Sequence, residues 1–494
     1  MTAETTLSSG GDTFGEDERP VAEATTLALV VVWSRDEPWR SGEVAFVDRE
    51  PREIGRGAEG GPRAAFLRQR PGSAEKQPPL ESPRISRVQL VVRAADDGAS
   101  CVVENVGRCA LLVDGVEAAA GALVEAPVGA VLELKGQLAL LVTRRPAWMA
   151  PLRAPYPEFP FGEADAHGVV GESPAAWQLR SFVAFVARRP GHVLVRGASG
   201  TGKELVARAV HDLSPRAGRP VVSRNAATIP EGLVDAELFG NMKNYPNAGM
   251  DARVGMIGEA DGSTLFLDEI AEVSTSVQAH LLRVLDAGEY TRLGETKPRR
   301  ADVRLIAATN RAASALKHDL LARLVFRTEI ADLNERREDV PLLVRHLLRR
   351  IAARDPEAVE AFFGGPVETT SPRVGPRLVR ALVQRSYTAN VRELEQLLWT
   401  VIARAEGTRL ELDRDELGAA TEGASAGEAA DDEGADAGGE AGGEGLGAAR
   451  VQAALDANNG SIEKTWRALG LASRHVLTRL VKKHGLEVRR KGSR

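Results

Sequence analysis

The chain has 494 residues, with 64 Lys and Arg against 69 Asp and Glu, a formal net charge of −5. At roughly 100–200 residues per domain this length predicts about three domains, and a hydrophobic content of 43% is enough for real cores. Two cysteines, Cys101 and Cys109, exclude a disulfide framework and point to a reducing cytosol. No apolar run approaches the ~18 residues of a membrane span, and the first residues lack the basic-then-apolar order of a signal peptide, so a cytoplasmic protein without membrane contact is expected.

In chain order, residues 1–20 are Gly, Thr, Ser and acid without periodicity, and are expected to be disordered. Residues 21–145 read as strands: Leu27-Ala28-Leu29-Val30-Val31-Val32, Val88-Gln89-Leu90-Val91-Val92, and the runs 110–113 and 131–142, with Gly and Pro between them. That spacing predicts an all-β sandwich. A Pro-rich linker, 146–164, leads to residues 165–412, where short apolar strands alternate with helical patterns and then give way to helices. This predicts an α/β domain with a parallel sheet and a helical lid. The stretch 413–445 is an acidic Gly/Ala linker. From 418 to 445 it holds Glu422, Glu428, Asp431, Asp432, Glu433, Asp436, Glu440 and Glu444 and no Lys or Arg, which predicts an extended tether. Residues 446–494 are short and helical.

The central domain carries the chemistry. Gly197-Ala198-Ser199-Gly200-Thr201-Gly202-Lys203 follows the apolar run Val193-Leu194-Val195 and precedes a helical pattern. Strand, glycine-rich loop and helix is the layout of a P-loop. Its backbone N–H groups curl around an anion, Lys203 reaches the β/γ-phosphates, and the helix N-terminus adds partial positive charge. Glu204 stands where P-loops usually place the Ser or Thr that touches Mg²⁺, so the metal must lean on other groups. Downstream, Thr264-Leu265-Phe266-Leu267 is an apolar strand that ends in Asp268-Glu269. Asp268 would hold Mg²⁺ and Glu269 would polarise the attacking water. Such a carboxylate pair alone can be a solvated turn after a core strand; both motifs in this order point to ATP hydrolysis.

With these motifs in place, residues 169 to about 402 resemble the AAA+ ATPase domain of bacterial enhancer-binding proteins, the activators of sigma-54 RNA polymerase. Gly171-Glu172-Ser173, the P-loop with Glu204, Arg224-Asn225-Ala226-Ala227, Asp268-Glu269, the strand ending in Thr309-Asn310, and Asn390-Val391-Arg392-Glu393-Leu394-Glu395 match the family's motifs in order. The resemblance implies that Asn225 restrains the catalytic glutamate, that Asn310 is the first sensor, and that Arg392 senses the γ-phosphate from the lid. It implies ATP and Mg²⁺ as cofactors and a homo-oligomeric ring, a hexamer, with ATP between subunits. Arg323 corresponds to an arginine acting in the neighbour's site; Lys317 stands at the position of the second such arginine, with the charge but without the planar fork. Thr388-Ala389 replaces the usual Pro-Gly. The family's GAFTGA loop, which grips sigma-54, reads Asn244-Tyr245-Pro246-Asn247-Ala248-Gly249 here.

Two flanking resemblances complete the reading. Residues 446–494 are similar to the Fis-type helix-turn-helix that ends many of these activators, with Ser473, Arg474, His475, Thr478, Arg479 and Lys482 expected to face duplex DNA. Residues 21–145 resemble a forkhead-associated domain, with Arg56, Ser86 and Arg87 left to hold the phosphate of a partner phosphoprotein. Gln89 replaces the usual His, and Cys109 and Asp114 replace peptide-positioning asparagines. Two functions stay open: an ATP-driven activator of sigma-54 polymerase at enhancer-like DNA sites, or a DNA-binding regulator or scaffold that uses ATP for assembly.

Overall fold

The computed structural model describes residues 25–57, 62–245 and 247–411, with 452, 455 and 465. The expected DNA-facing residues Ser473, Arg474, His475, Thr478, Arg479 and Lys482, the tract 1–20, the linker 413–445 and Pro246 lie outside the described residues.

The N-terminal module is built on the strand Thr25–Ser34, which is apolar along almost its whole length because both of its faces are covered. It pairs antiparallel with Leu138–Pro146 in the middle of an eight-stranded sheet. A four-stranded antiparallel sheet lies opposite, formed by Arg52–Ile54, Leu90–Ala94, Ser100–Asn105 and Leu123–Pro127. Leu27, Leu29 and Val31 meet Leu90, Val92 and Val103 between the sheets. The expected all-β module is therefore present as two sheets over one core.

The central domain holds a five-stranded sheet in the order Val222–Asn225, Thr264–Asp268, Arg304–Thr309, Val193–Arg196, Phe326–Glu329. All its pairings are parallel. The register sets Asn225 beside Asp268 and Arg196 beside Thr309, so the P-loop, the acidic pair and both asparagine-bearing turns gather at one carboxyl edge, where parallel sheets bind ligands. Three longer helices follow as a lid: Val340–Arg354, Pro376–Gln384 and Asn390–Arg404. Among the described residues no helix is long and apolar enough to cross a membrane.

The β module, the Pro-rich segment and the ATPase region are packed against one another. The described residues up to 411 fall in one compact unit. The outer face of the eight-stranded sheet, through Val32, Trp33, Val131, Ala139 and Leu141, joins the lid core at Val340, Val344, Leu378 and Val379. Trp33 Nε1 donates to Val374 O at 2.8 Å. Arg145, only 1% exposed, donates to Glu338 Oε2 at 3.0 Å and to the Glu172 carbonyl at 2.8 Å. Arg380 of the lid donates to Glu133 of the module at 2.9 Å. The Pro-rich segment is a packed strap: Phe159 lies against Arg70 and Arg180, and stacks on Trp177. Arg70 also pairs with Glu172 at 2.6 Å.

Trp33→Ala removes a large buried side chain and orphans the Val374 carbonyl, and should cost about 3–5 kcal/mol. Urea unfolding of residues 21–412, without the C-terminal module, followed by intrinsic fluorescence and by far-UV dichroism should give one coincident transition in this parent chain, shifted to lower urea in the variant. Two separate transitions in the parent chain would refute the shared core.

Candidate functional site

The cleft lies between the carboxyl edge of the parallel sheet and the lid, with a volume of about 400 Å³. The helix Lys203–Asp212 begins immediately after Gly202, which sits at φ +100° and supplies no side-chain cap. The first helical N–H groups are thus left open to an anion. Gly200, at φ +75°, accepts no side chain: a Cβ there would lie 2.1 Å from the Ala389 carbonyl of the lid. Gly197 is similarly confined, by Thr201 Oγ1 at 2.8 Å. Thr201 Oγ1 itself donates to the Ala198 carbonyl.

Lys203 is 8% exposed and bridges the loop to the acidic strand end. Its Nζ donates to Gly197 O at 3.0 Å and lies 3.3 Å from Glu269 Oε1. Glu269 adopts a left-handed backbone at φ 51°, an uncommon state for a residue with a side chain and one that clusters at functional sites. Its N–H donates to Asp268 Oδ1 at 3.0 Å, and its Oε2 accepts from the Asn310 N–H at 3.1 Å. Burial, then the nearby Glu269 charge, pushes the Asp268 carboxyl above the usual aspartate range. Asn225 lines the cleft, but its Oδ1 accepts from Ala227 N–H at 2.9 Å, capping a short 3-10 turn. Glu204 is exposed and pairs with Arg208 at 2.9 Å.

The lid closes directly on the P-loop. Arg392 Nη1 donates to Ser199 Oγ at 3.1 Å, Asn390 Nδ2 donates to Ser199 O at 3.1 Å, and Val391 N–H donates to Gly200 O at 3.1 Å. Thr388-Ala389 thus permits the turn that the usual Pro-Gly would make. The other end of the cleft is apolar, lined by Val169, Val170, Leu179, Leu343 and Leu347, a surface suited to a flat base. Glu395, the end of the second-sensor motif, also lines it, as do Arg336, His346 and Arg350, which were not singled out from the sequence. His346 and Arg350 sit among the apolar repeats of the helix Val340–Arg354, which reads as ordinary core, and Arg336 sits in a charged turn that reads as surface.

Comparison with known proteins agrees with this geometry. Residues 169–334 match the sigma-54 interaction domain, and 334–432 match the AAA+ ATPase lid domain. The transcriptional regulatory protein ZraR of Klebsiella oxytoca is 35% identical over 320 residues, covering 63% of this chain and 68% of that protein. The chain belongs to the sigma-54-interacting AAA+ regulators. ZraR of Salmonella typhimurium is 40% identical over 257 residues, 51% of this chain and 56% of its own length. The Nif-specific regulatory protein of Bradyrhizobium diazoefficiens is 40% identical over 255 residues, 50% of this chain and 42% of its own. The chain thus spans about half the length of these two relatives. The solved structure of NtrX from Brucella abortus in complex with ADP is similar at 28% identity, covering 65% of this chain and 70% of that one, with a TM-score of 0.44.

Other positions matched to this family lie away from the cleft. Arg323 ends the helix His318–Arg323, is 55% exposed at its side chain and pairs with Asp286 at 2.5 Å. Lys317 precedes that helix, and neither residue lines this chain's own cleft. In the loop that replaces GAFTGA, Asn244 takes φ 63° and its Oδ1 accepts from Gly249 N–H at 3.0 Å. Asn247 accepts from Met250 N–H at 3.3 Å through its carbonyl, while Ala248 and Gly249 are exposed. Tyr245 is 46% exposed and lies against Gly294, where a Cβ would come within 2.8 Å of its ring.

In the N-terminal module, Arg56 Nε donates to Ile85 O at 3.3 Å, Ser86 Oγ accepts from Arg108 N–H at 3.1 Å, and Arg87 is exposed. Gln89 is buried; it accepts from Ser86 N–H at 3.1 Å and donates to Asn105 Oδ1 at 2.7 Å. Asp114 accepts from Val131 N–H at 2.8 Å and from Gln384 of the lid. Its carboxylate is part of the contact between the module and the lid.

Lys203→Ala should abolish binding of a fluorescent ATP analogue. Gly200→Ala, which must strain φ and push Ala389 away, should weaken that binding by about tenfold with the melting profile retained. Unchanged affinity in Gly200→Ala would show that the lid does not need this close approach.

Proposed function

We propose that the chain is a cytoplasmic, ATP-hydrolysing transcription regulator that binds enhancer-like duplex DNA and remodels sigma-54 RNA polymerase. The observation that carries this reading is the Lys203–Glu269–Asn310 chain of contacts beneath a lid whose Arg392 reaches the P-loop. In the mechanism, the triphosphate takes the open N–H groups after Gly202, and Lys203 turns from Gly197 O and Glu269 to the β/γ-phosphates. That exchange frees Glu269 to orient and polarise the attacking water, while Asn310 and Arg392 register the γ-phosphate.

Asp268, a hard oxygen donor at the strand end, fits Mg²⁺ and would hold it, since Glu204 stands in place of the usual hydroxyl. The ion, when bound, neutralises phosphate charge. Arg323, exposed and outside its own cleft, serves the neighbouring subunit's site in a ring, a hexamer, with Lys317 as a second cation. Asn225 leaves its cap on Ala227 to restrain Glu269. The module at 21–145 reads as forkhead-associated-like. Arg56, Ser86 and Arg87 would hold a partner's phosphate weakly, because Gln89 and Asp114 are engaged within the fold. The C-terminal residues Arg474 and Arg479 would read bases from a helix-turn-helix.

A second reading rests on the altered loop. The Phe-Thr pair is missing and Tyr245 lies against Gly294. This favours a DNA-bound regulator or scaffold that uses ATP for assembly.

Glu269→Gln should bind ATP without turnover, and Arg323→Ala should lose turnover while keeping binding. Mixing the two should restore part of the activity at hybrid interfaces; normal hydrolysis by Arg323→Ala alone would sink the shared-site reading. To separate activator from scaffold, capture of sigma-54 with ADP–aluminium fluoride is decisive. Nucleotide-dependent capture that Tyr245→Ala abolishes supports the activator, and no capture with hydrolysis intact supports the scaffold.

A further inference from the structure

The apolar end of the cleft holds a buried cation whose Nε meets no acceptor. Arg336 immediately precedes the turn Arg337–Asp339 at the start of the lid, is 5% exposed, and lines the cleft beside Val169, Val170 and Leu343. Its Nε has no hydrogen-bond partner. Two acidic groups, Asp339 and Asp332, act on it through space, but neither accepts a hydrogen bond from it, and Asp339 is turned to other donors. Asp339 accepts from Glu172 N–H at 2.9 Å, Ser173 N–H at 3.0 Å and Ser173 Oγ at 2.6 Å. A buried charged donor left unpaired is costly, and native proteins keep such groups where a ligand or water completes them. The phosphate end of the cleft already has Lys203 and Arg392, whereas the Arg336 end is apolar. The ligand portion that reaches Arg336 is therefore the nucleoside, whose ring nitrogens and ribose oxygens are acceptors.

The turn that carries Arg336 is held from the N-terminal module. Glu338, two residues on, pairs with Arg145 at 3.0 Å across 193 residues of sequence. The same guanidinium donates to the Glu172 carbonyl at 2.8 Å and to Gln69 Oε1 at 3.1 Å. One buried arginine thus ties together the strand Leu138–Pro146, the segment leading into the helix Pro174–Ala187, and the first turn of the lid.

We propose that Arg336 binds the nucleoside end of the bound nucleotide and that Arg145 of the N-terminal module positions the turn that carries it. The proposal rests on the ATP reading above. It gives the N-terminal module a direct part in nucleotide affinity, through a route separate from its phosphate loops.

The test uses the full chain and two probes, ATP and inorganic tripolyphosphate, which lacks a nucleoside, titrated by calorimetry. Arg336→Met should weaken ATP by about tenfold or more and leave tripolyphosphate within about twofold of the parent. Unchanged ATP affinity, or an equal loss for both probes, would overturn the assignment. If Arg336→Met fails to fold by thermal melting, Arg336→Gln carries the same comparison. Arg145→Met should raise KM for ATP with little change in kcat, and Arg145→Lys should recover part of the loss. A fall in kcat alone, or no change in KM, would remove Arg145 from the nucleotide site. A parent chain that binds neither probe would sink the ATP reading itself, an outcome distinct from failure of the Arg336 variants.

Discussion

Glu338 and Asp339 are adjacent, buried, and placed where the β module, the ATPase sheet and the lid meet. Burial pushes both carboxyls above their usual ranges, and each is compensated by a different part of the chain. Glu338 takes Arg145 from the β module. Asp339 takes the backbone and hydroxyl of the Glu172-Ser173 segment, so it makes no side-chain cap to its own helix. Gly171 must be glycine here, at φ +137° with a Cβ position only 2.4 Å from Asp339 Oδ2. A buried ion pair contributes less to net stability than its geometry suggests, but removing one partner leaves a charge stranded in the interior. The cluster therefore specifies the arrangement of three elements more than it strengthens any one of them.

From that junction the cleft inherits its shape. The Gly168–Val170 wall follows from the Asp339 contacts and from Arg180, which donates to Val169 O at 3.0 Å and Gly171 O at 2.7 Å. The lid helix Asn390–Arg404 then falls over Gly200 and Ser199. Glu269 lies between Lys203 and the Asn310 backbone, so the carboxylate that would act on water is held by the cation that would act on phosphate. Under the proposed function, binding a triphosphate would replace one partner of this pair with another, and the change would reach the strand Arg304–Thr309 through Asn310 and the lid through Arg392.

The departures from the family's motifs divide by physical consequence. Thr388-Ala389 changes residue type but keeps the turn, because Asn390 supplies the left-handed backbone at φ 51° and bonds Leu333 N–H at 2.7 Å. Lys317 and the Asn244-to-Gly249 loop change groups that lie outside the cleft, and the one aromatic of the loop, Tyr245, rests on Gly294. Asp114, in a loop of the β module, is taken up in a contact with Gln384 of the lid.

The sequence by itself determined the P-loop, the acidic strand end, the parallel α/β order and the β-rich N-terminal module. These depend on local geometry: glycine at positive φ, apolar runs of strand length, and a helix that starts at Lys203. It did not disclose that the strand Thr25–Ser34 has two covered faces, one inside its own module and one on the lid, nor that Asn225 caps a turn instead of meeting Glu269. Arg145 and Glu338 stand 193 residues apart, and Asp114 and Gln384 stand 270 apart. Arg336 reads in the chain as one of several surface-like charges in a basic-acidic turn. Only the tertiary structure buried it beside the cleft, because the cost of burying a charge, and the partner that offsets it, are set by groups brought together from distant segments.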